Sequence, residues 1–358
     1  MPPPARPERL GSYVIVAKIA GGGMSTIYLG RADDPACKER VAAVKVIRQE
    51  LAQDARMIQM FLEEGKVLAL LSHPNILRTF EYGATNEQQF IAMELLLGRT
   101  LADTWEACAA NKLALRADMS AWVCARVADA LHYAHDLCDE AGQPLGLVHR
   151  DVNPSNVFLT FDGRVVLFDF GLVNVRVKRA PSAAGIVKGK LPYLAPEQIM
   201  QFPIDRRADV FMLGTTLWEL TTMRRLFKRD DDVETVKAVR SGPIPDPTTI
   251  LPGFPERLAR VVKKALERNR DRRHPTAKDL AEELDAFVGA AAGDMPDLVS
   301  GILDHLFPGE RARQRGWLKR TSALAPDARR STVAPPAPLP TSSVRVVPPQ
   351  PPSRPRKA

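Results

Sequence analysis

The first hundred residues show mostly the alternation of apolar and polar positions that is typical of β-strands. Residues 13–19 alternate and lead through a glycine-rich turn into a second strand at 27–29. The apolar runs 41–47 and 90–98 predict two further strands. Residues 54–71 instead carry apolar side chains at helical spacing between charged ones. The pattern therefore predicts a small β-rich unit that contains one long helix.

Apolar patterns of helical period follow after residue 100. The stripe in 118–137 predicts an amphipathic helix. Residues 209–220 are apolar on nearly every face, as expected of a helix in the middle of a large lobe. Asp209 is the predicted N-cap of this buried helix. The second part of the chain is thus expected to be larger and mainly helical.

The two ends of the chain differ from these patterns. Residues 1–10 are Pro-rich and are expected to form a disordered arm, whereas 289–320 are predicted to be a helical extension. Within the extension, 296–307 places six apolar residues on one helical face, so this helix should dock, with the large lobe as the nearest surface. Residues 321–358 are rich in Pro, Ser, Ala and Arg and are predicted to be a disordered tail. The tail is either a spacer or a site for a regulatory partner.

Composition and charge narrow the classes of function. With 358 residues, of which 45% are hydrophobic, the chain can bury a full core and hold one large two-lobed domain or two ordinary ones. Much of the net charge of +8 lies in an Arg-rich C-terminal segment with few aromatic residues, so nucleic acid is not an expected partner. Neither an 18-residue apolar run nor a signal-peptide core is visible, which predicts a cytoplasmic protein without a membrane partner. Disulfides and zinc are not expected either, because no C-x-x-C spacing relates Cys37, Cys108, Cys124 and Cys138.

Candidate chemistry is concentrated in residues 147–171. Here two β-rich runs, 157–160 and 164–168, are predicted to form a hairpin around the turn at 162–163. A hairpin brings its two ends side by side, so the loop before it and the segment after it converge. Oxygen ligands of the Asp and Asn type suit magnesium, which is usually bound through one or two carboxylates plus substrate phosphates. Three such side chains are expected to meet at this mouth, namely Asp151, Asn156 and Asp169.

This stretch resembles the catalytic loop and metal-binding hairpin of eukaryotic-type (Hanks-type) serine/threonine protein kinases of bacteria. The H-R-D-x-x-x-x-N, D-F-G and A-P-E motifs of that family are matched by residues 149–156, 169–171 and 195–197. Two structural partners are implied by the same resemblance: Asp209 would hold the backbone of the catalytic loop, residues 149–156, and Arg273 would pair with Glu197 of the A-P-E motif.

The resemblance covers about residues 11–288 and implies an α+β, two-lobed kinase fold. The small β-rich lobe with one long helix (N-lobe) would span about 11–94 and the larger helical lobe (C-lobe) about 98–288. ATP and Mg²⁺, with Mn²⁺ as a possible substitute, are the implied cofactors. Protein substrates are implied because small-molecule phosphotransferases that share the kinase core generally lack the A-P-E segment.

By the same resemblance, the N-terminal strands and helix would bind ATP. The loop at 20–27 aligns with G-x-G-x-x-G-x-V, although only Gly22 keeps a glycine. Lys45 interrupts an apolar strand and therefore needs an anionic partner. It matches the lysine that binds the α- and β-phosphates, and Glu64 matches the glutamate that pairs with it, whereas Glu63 should face elsewhere, about 100° round the helix. The residues implied at the nucleotide are Ala20, Gly22, Ser25, Ile27, Lys45, Glu64, Met93, Glu94 and Leu96.

The implied catalytic roles fall on the hairpin and its flanks. Asp151 would orient the substrate hydroxyl and accept its proton, while Asn156 and Asp169 would hold magnesium. Serine/threonine kinases of this family commonly carry a lysine two residues after the catalytic aspartate, but that position here is Asn153. We predict that Lys190 replaces it near the γ-phosphate. The competing interpretation places Lys190 in the substrate groove, where it would select acidic neighbours.

The chain is therefore predicted to be a serine/threonine protein kinase that autophosphorylates its activation segment. Between Gly171 and Glu197 the only side-chain hydroxyls belong to Ser182 and Tyr193, so Ser182 is the predicted phosphosite. The alternative is a pseudokinase that binds nucleotide and acts as a scaffold. Its support lies in the altered glycine positions and in Asn153.

Overall fold

A computed structural model gives the fold of the protein. A β-rich lobe is followed by a larger helical lobe and by a C-terminal helical extension. The structure describes residues 9–21, 25–33, 41–48, 50–85, 88–170 and 190–322. Several predictions fall outside the described residues: Gly22, the predicted phosphosite Ser182, residues 1–8 of the arm and residues 323–358 of the tail. The last two residues of the predicted arm are not disordered but form a short strand, because Leu10 is buried against the sheet.

The first lobe is built on an antiparallel six-stranded sheet. The central strands are buried on both faces: Val44 and Ala92 lie on one face and Ile91 on the other, and none of the three is exposed to solvent. Lys45 lies opposite Ile27 on one side and opposite Ile91 on the other, in the middle of the sheet. The strands, in the spatial order β1-β2-β3-β4-β6-β5, are β1 (Arg9–Leu10), β2 (Tyr13–Gly21), β3 (Ser25–Ala32), β4 (Val41–Ile47), β5 (Thr79–Thr85) and β6 (Gln88–Glu94).

One long helix, α1 (Ala55–Leu68), packs against β5 and β6. Asp54 caps it, because its carboxylate accepts a hydrogen bond from the Arg56 N–H at 2.9 Å. Close packing on the sheet requires Gly65, since a Cβ there would lie 2.9 Å from the Tyr82 side chain. The helix stops short of its predicted end at 71.

The second lobe is mainly helical, with a small sheet at its junction with the first. The amphipathic helix α3 (Ala117–His135) packs between α5 (Arg207–Thr222) and α9 (Ala277–Val288). The helix α5 is buried along almost its whole length. The small sheet consists of β7 (Gly98–Thr100), β8 (Val157–Thr160) and β9 (Val165–Leu167), of which β8 and β9 form the predicted hairpin. The helices are α2 (Leu101–Ala110), α3 (Ala117–His135), α4 (Pro196–Ile199), α5 (Arg207–Thr222), α6 (Asp232–Ser241), α7 (Pro247–Ile250), α8 (Glu256–Ala265) and α9 (Ala277–Val288).

The prediction that Asp209 caps α5 is wrong. The helix begins at Arg207, with Arg206 in the cap position, so Asp209 lies inside the first turn. A carboxylate in the first turn is favoured by the helix dipole and can still accept hydrogen bonds from outside the helix. Asp209 accepts such hydrogen bonds from the backbone of the catalytic loop.

Two helices follow the kinase-like lobes: α10 (Met295–Leu306) and α11 (Glu310–Ser322). The apolar face predicted for 296–307 is docked on the helical lobe, where Met295, Val299 and Leu303 are fully buried. By length and composition alone, the helical stretch Ala277–Leu306 would be long enough and apolar enough to cross a membrane. The helix α11 continues through Ser322, two residues beyond the predicted extension.

Candidate active site

The predicted strand lysine lies in a three-residue charge cluster between the lobes. Lys45 Nζ lies 2.7 Å from Glu64 Oε1 and 3.1 Å from Asp169 Oδ1. Glu64 is only 5% exposed, whereas Glu63 faces solvent and accepts a hydrogen bond from Gln59. The expectation about the two glutamates is therefore correct. Strand β4, helix α1 and the segment after β9 each supply one member of the cluster.

Opposite charges keep both Lys45 and Asp169 ionised. Burial would lower the pKa of Lys45, but Asp169 and Glu64 outweigh it and raise that pKa above its ordinary value. Burial would raise the pKa of Asp169, but Lys45 and Lys190 hold it below the ordinary range. An ionised carboxylate beside a fixed ammonium is suited to bind a metal and phosphates together.

Asp151 lies at the same mouth, and three side chains contact its carboxylate. Asn153 Nδ2 donates to Asp151 Oδ1 at 3.0 Å, and Asn156 Nδ2 donates to Asp151 Oδ2 at 2.9 Å. Lys190 Nζ forms an ion pair with the same Oδ2 atom. Asn153 was predicted only as a missing lysine, but here it helps to fix the orientation of Asp151. Lys190 therefore lies against the carboxylate of Asp151, and its role toward the γ-phosphate stays a prediction.

The backbone of the catalytic loop, residues 149–156, is held by hydrogen bonds to the carboxylate of Asp209. Its two carboxylate oxygens accept hydrogen bonds from the His149 and Arg150 N–H groups, each at 2.8 Å. These bonds hold Arg150 at a φ of 66°, and Asp169 on the other side of the hairpin has a φ of 60°. Left-handed backbone is uncommon for residues other than glycine and occurs often at functional sites. The two strained residues flank the mouth of the site.

Sequence reasoning missed two supports of this loop. His135 Nε2 lies 2.7 Å from Asp209 Oδ2, and Gln198 Nε2 donates to the Arg150 carbonyl at 2.9 Å. His135 is only 1% exposed, although α3 was predicted from its apolar stripe. A histidine at a buried helical position was the one available signal, since such a residue needs a polar partner.

The predicted A-P-E partner is also in place. Arg273 Nη1 and Nη2 contact the two oxygens of Glu197 at 2.6 and 2.8 Å, and both residues are buried. The bidentate geometry gives this pair direction as well as charge. It fixes the segment that contains residues 195–197 to the helical lobe.

The remaining predicted nucleotide residues line the cleft between the lobes. An apolar cluster contains Met93, and Ile27 of β3, Leu96 of the segment after β6 and Phe158 of the hairpin pack against it. Ala20 pairs with Ile27 across β2 and β3, and Ser25 opens β3. The Glu94 side chain is turned away, toward Arg164 at 3.0 Å and the Arg78 N–H at 3.0 Å. The predicted contact of Glu94 with adenine is therefore left to its main-chain atoms.

The donor set fits the metal implied by the sequence. The Asn156 amide nitrogen donates to Asp151, so the amide oxygen is the atom left for a cation. Asp169 supplies an ionised carboxylate on the opposite side of the mouth. Two hard oxygen ligands match the needs of magnesium, which takes its other ligands from water and phosphate. No cluster of three His, Cys, Asp or Glu side chains with metal-binding geometry occurs in the part of the chain that the structure describes.

Comparison with known proteins agrees with this geometry. The family model of the protein kinase domain matches residues 13–284. The chain belongs to the protein kinase family. Tyrosine-protein kinase MasK of Myxococcus xanthus is 34% identical over 317 residues, which cover 88% of this chain and 49% of MasK. Serine/threonine-protein kinase PknL of Mycobacterium tuberculosis is 30% identical over 283 residues, covering 77% of this chain and 65% of PknL.

Solved kinase structures show the same fold. The kinase domain of Mycobacterium tuberculosis PknI has a TM-score of 0.58 and 27% sequence identity, and the match covers 80% of this chain and 99% of that domain. The predicted α+β, two-lobed kinase fold and the assignment to bacterial Hanks-type kinases are thus confirmed. The chain spans 49% of MasK, 38% of a probable serine/threonine kinase from Clostridium perfringens and 65% of PknL. The roles predicted for individual site residues stay predictions.

Proposed function

We propose that the chain is a serine/threonine protein kinase that transfers the γ-phosphoryl group of ATP to protein hydroxyls. The observation that carries the proposal is that two groups of charged side chains, one around Lys45 and one around Asp151, lie at the two ends of the hairpin β8–β9. Lys45, Glu64 and Asp169 are joined by ion pairs, and Asp151 lies on the neighbouring loop with its carboxylate held in place. Phosphoryl transfer passes through a loose transition state, so positioning and charge neutralisation supply most of the catalysis.

Lys45 holds the α- and β-phosphates, and Glu64 fixes the direction of the Lys45 side chain. Asn156 and Asp169 hold the metal, with Mg²⁺ as the proposed ion and Mn²⁺ as a possible substitute. When bound, the metal neutralises charge that develops on the phosphate oxygens. The apolar cluster around Met93 accepts the adenine ring, and the main chain of Glu94 to Leu96 supplies its hydrogen bonds.

Asp151 orients the attacking hydroxyl and takes its proton late in the transfer. The amide groups of Asn153 and Asn156 hold its carboxylate from two sides, at 3.0 and 2.9 Å. A fixed carboxylate reduces the cost of aligning the nucleophile with the phosphate.

Lys190 supplies the cation that the catalytic loop lacks. Its ammonium contacts Asp151, and Asn153 occupies the loop position at which the family commonly places a lysine. From this position the ammonium can neutralise charge on the transferring phosphoryl group as the hydroxyl attacks. The competing role, selection of acidic residues in the substrate, predicts an effect on substrate affinity instead.

Serine and threonine are the proposed acceptors because PknL and the relative from Clostridium perfringens are named as a serine/threonine kinase and a probable serine/threonine kinase. MasK, which is a tyrosine-protein kinase by name, supports tyrosine as the second candidate. Autophosphorylation at Ser182, binding of a regulatory partner by the tail and a cytoplasmic location belong to the same proposal.

The test is incubation of the full chain with labelled ATP and Mg²⁺, beside an Asp151→Asn control, followed by analysis of the phosphorylated amino acids. We expect phosphoserine or phosphothreonine that depends on Asp151, including phosphoserine in the peptide that contains Ser182. Label on tyrosine alone would replace the proposed specificity with that of the second candidate. Nucleotide binding without any transfer, at any metal concentration, would instead identify a pseudokinase.

A further inference from the structure

The C-terminal helices contact the catalytic hairpin directly. Ser300 Oγ donates a hydrogen bond to the Phe161 carbonyl at 2.9 Å, just before the turn. At the turn itself, Gly163 has a φ of 86°, and a Cβ there would lie 2.3 Å from the Pro296 carbonyl oxygen. Since Asp169 follows the same hairpin, α10 is anchored on the element that positions this site residue.

The next helix, α11, holds the connection between the lobes through one buried amide. Gln314 is 5% exposed, and its Oε1 accepts the Gly98 N–H at 2.7 Å, while its Nε2 donates to the Gly98 carbonyl at 3.0 Å. The same Nε2 donates to Glu310 at 2.7 Å. Gly98 opens β7, two residues after Leu96, which the proposed function assigns to the adenine ring. One side chain thus satisfies both backbone groups of a residue beside the nucleotide site.

On the other side of the connection, α11 reaches the β-rich lobe. Arg31 of β3 donates from Nη1 to the Thr321 carbonyl at 3.3 Å, near the end of α11. Near the start of α11, Glu310 forms an ion pair with Arg99 at 3.2 Å, and Arg99 lies over the Phe307 ring at 5.0 Å from its centroid. The helix therefore contacts both lobes across the back of the connection.

The chemistry of the Gln314 contact argues for a positioning role. Apolar packing alone would be served by a leucine, whereas a buried amide is tolerated only when its donors and acceptor are paired. Gly98 cannot accommodate a side chain here, because a Cβ would lie 2.0 Å from the Leu159 carbonyl oxygen. Its backbone is therefore enclosed between β8 and α11, and loss of the amide would leave a buried N–H and C=O without partners.

We propose that Gln314 is a positioning residue for nucleotide binding, acting through Gly98 on the connection at 94–98, with α11 as a brace between the lobes. The proposal rests on the proposed function only as far as ATP binding. It predicts that the apparent affinity for ATP depends on a residue far outside the matched kinase domain, which ends at residue 284.

The experiment compares Gln314→Met with Arg315→Met in the full chain. Methionine keeps the length of glutamine but makes no amide hydrogen bonds, and Arg315 is an exposed neighbour on the same helix. We expect Gln314→Met to raise the ATP KM and the nucleotide Kd about fivefold to tenfold, with kcat at saturating ATP changed less than twofold. Arg315→Met should leave all three unchanged.

Amide hydrogen exchange provides a readout that does not need phosphoryl transfer. In Gln314→Met the peptide over residues 95–100 should exchange faster than in the parent protein, and in Arg315→Met it should not. A lower melting temperature with unchanged nucleotide Kd and unchanged exchange at 95–100 would overturn the proposal, because it would show a merely structural contact. Should Gln314→Met fail to fold, Gln314→Ala beside Arg315→Ala gives the same test, since the shortened side chain also removes both hydrogen bonds to Gly98 without adding bulk or charge beside Glu310.

Discussion

Two ion pairs of the kinase core resemble each other in distance but differ in what surrounds them. Arg273 and Glu197 lie within the helical lobe, and all five N–H donors of Arg273 have acceptors there: Glu197, Arg207, Arg268 and Glu267. Lys45 directs its ammonium, which has three N–H donors, to Glu64 and Asp169. One donor therefore remains for a phosphate oxygen.

The solvent exposure of its carboxylate distinguishes a structural ion pair from one that can bind a ligand. Asp169 has a side chain that is 39% exposed, compared with 6% for Glu197. A closed pair stabilises the fold and offers nothing to a ligand. The open cluster keeps unused bonding capacity at the cleft, and it joins elements of both lobes rather than one.

The largest expected effect concerns the two aspartates of the open site. Asp151→Asn should lower kcat by about 10³-fold while nucleotide affinity stays within twofold, because Asp151 is not a proposed ligand of the metal or of ATP. Asp169→Asn should lose both turnover and Mg-dependent ATP binding, because it removes a metal ligand. Rates of phosphoryl transfer and titration with ATP, with and without Mg²⁺, measure the two quantities. An equal loss of ATP affinity in both variants would contradict the assigned roles.

Removing Arg273 from its closed pair with Glu197 should instead lower the stability of the fold. Arg273→Met leaves Glu197 buried without its partner, and we expect the free energy of unfolding to fall by about 3–5 kcal/mol. Glu64→Gln, the matched change in the open cluster, should raise the ATP KM with a smaller loss of stability, because an amide can still contact Lys45. Chemical denaturation of both variants checks the contrast, and a larger loss of stability in Glu64→Gln would reverse it.

Lys190 extends the open site by one further cation. If it stabilises charge on the transferring phosphoryl group, Lys190→Met should lower kcat by about 10²-fold with little change in peptide KM. Adding Asn153→Lys should restore part of the rate, because it returns an ammonium to the catalytic loop. Steady-state kinetics of the single and double variants separate the two roles of Lys190. A change confined to peptide KM, without rescue, would place Lys190 in the substrate groove.

A smaller effect should appear in the pH dependence of stability. Burial lowers the pKa of His149 below its ordinary value of 6.5, despite the nearby carboxylates of Asp209, Asp151 and Asp169. The unfolded chain takes up this proton below pH about 6.5 and the folded chain only at lower pH, so this contribution to stability is complete above pH 6.5 and falls as the pH decreases. We expect His149→Asn to remove up to about 1.4 kcal/mol per pH unit from the slope of the free energy of unfolding between pH 6.5 and 5. Identical slopes in the two proteins would show that His149 does not contribute.

The elements that show a clear hydrophobic period or a family motif could be predicted from the sequence. The hairpin at 157–168 and the pairing of Lys45 with Glu64 followed from alternation and from family spacing. The start of α5 was misplaced because the charged residues before Asp209 gave no apolar signal. The contact of Gln314 with Gly98 had no signal at all, since one polar residue in a strongly polar helix looks like any other.

The contact of Pro296 with Gly163 determines when the fold becomes complete during synthesis. A ribosome finishes the catalytic hairpin more than a hundred residues before it reaches the helix that covers the hairpin's turn. Until α10 emerges, the apolar surface under Met295, Val299 and Leu303 has no cover. The nascent chain therefore carries every motif of a kinase while this surface is still open to other apolar segments, and assembly of the catalytic lobe ends only with its last helices.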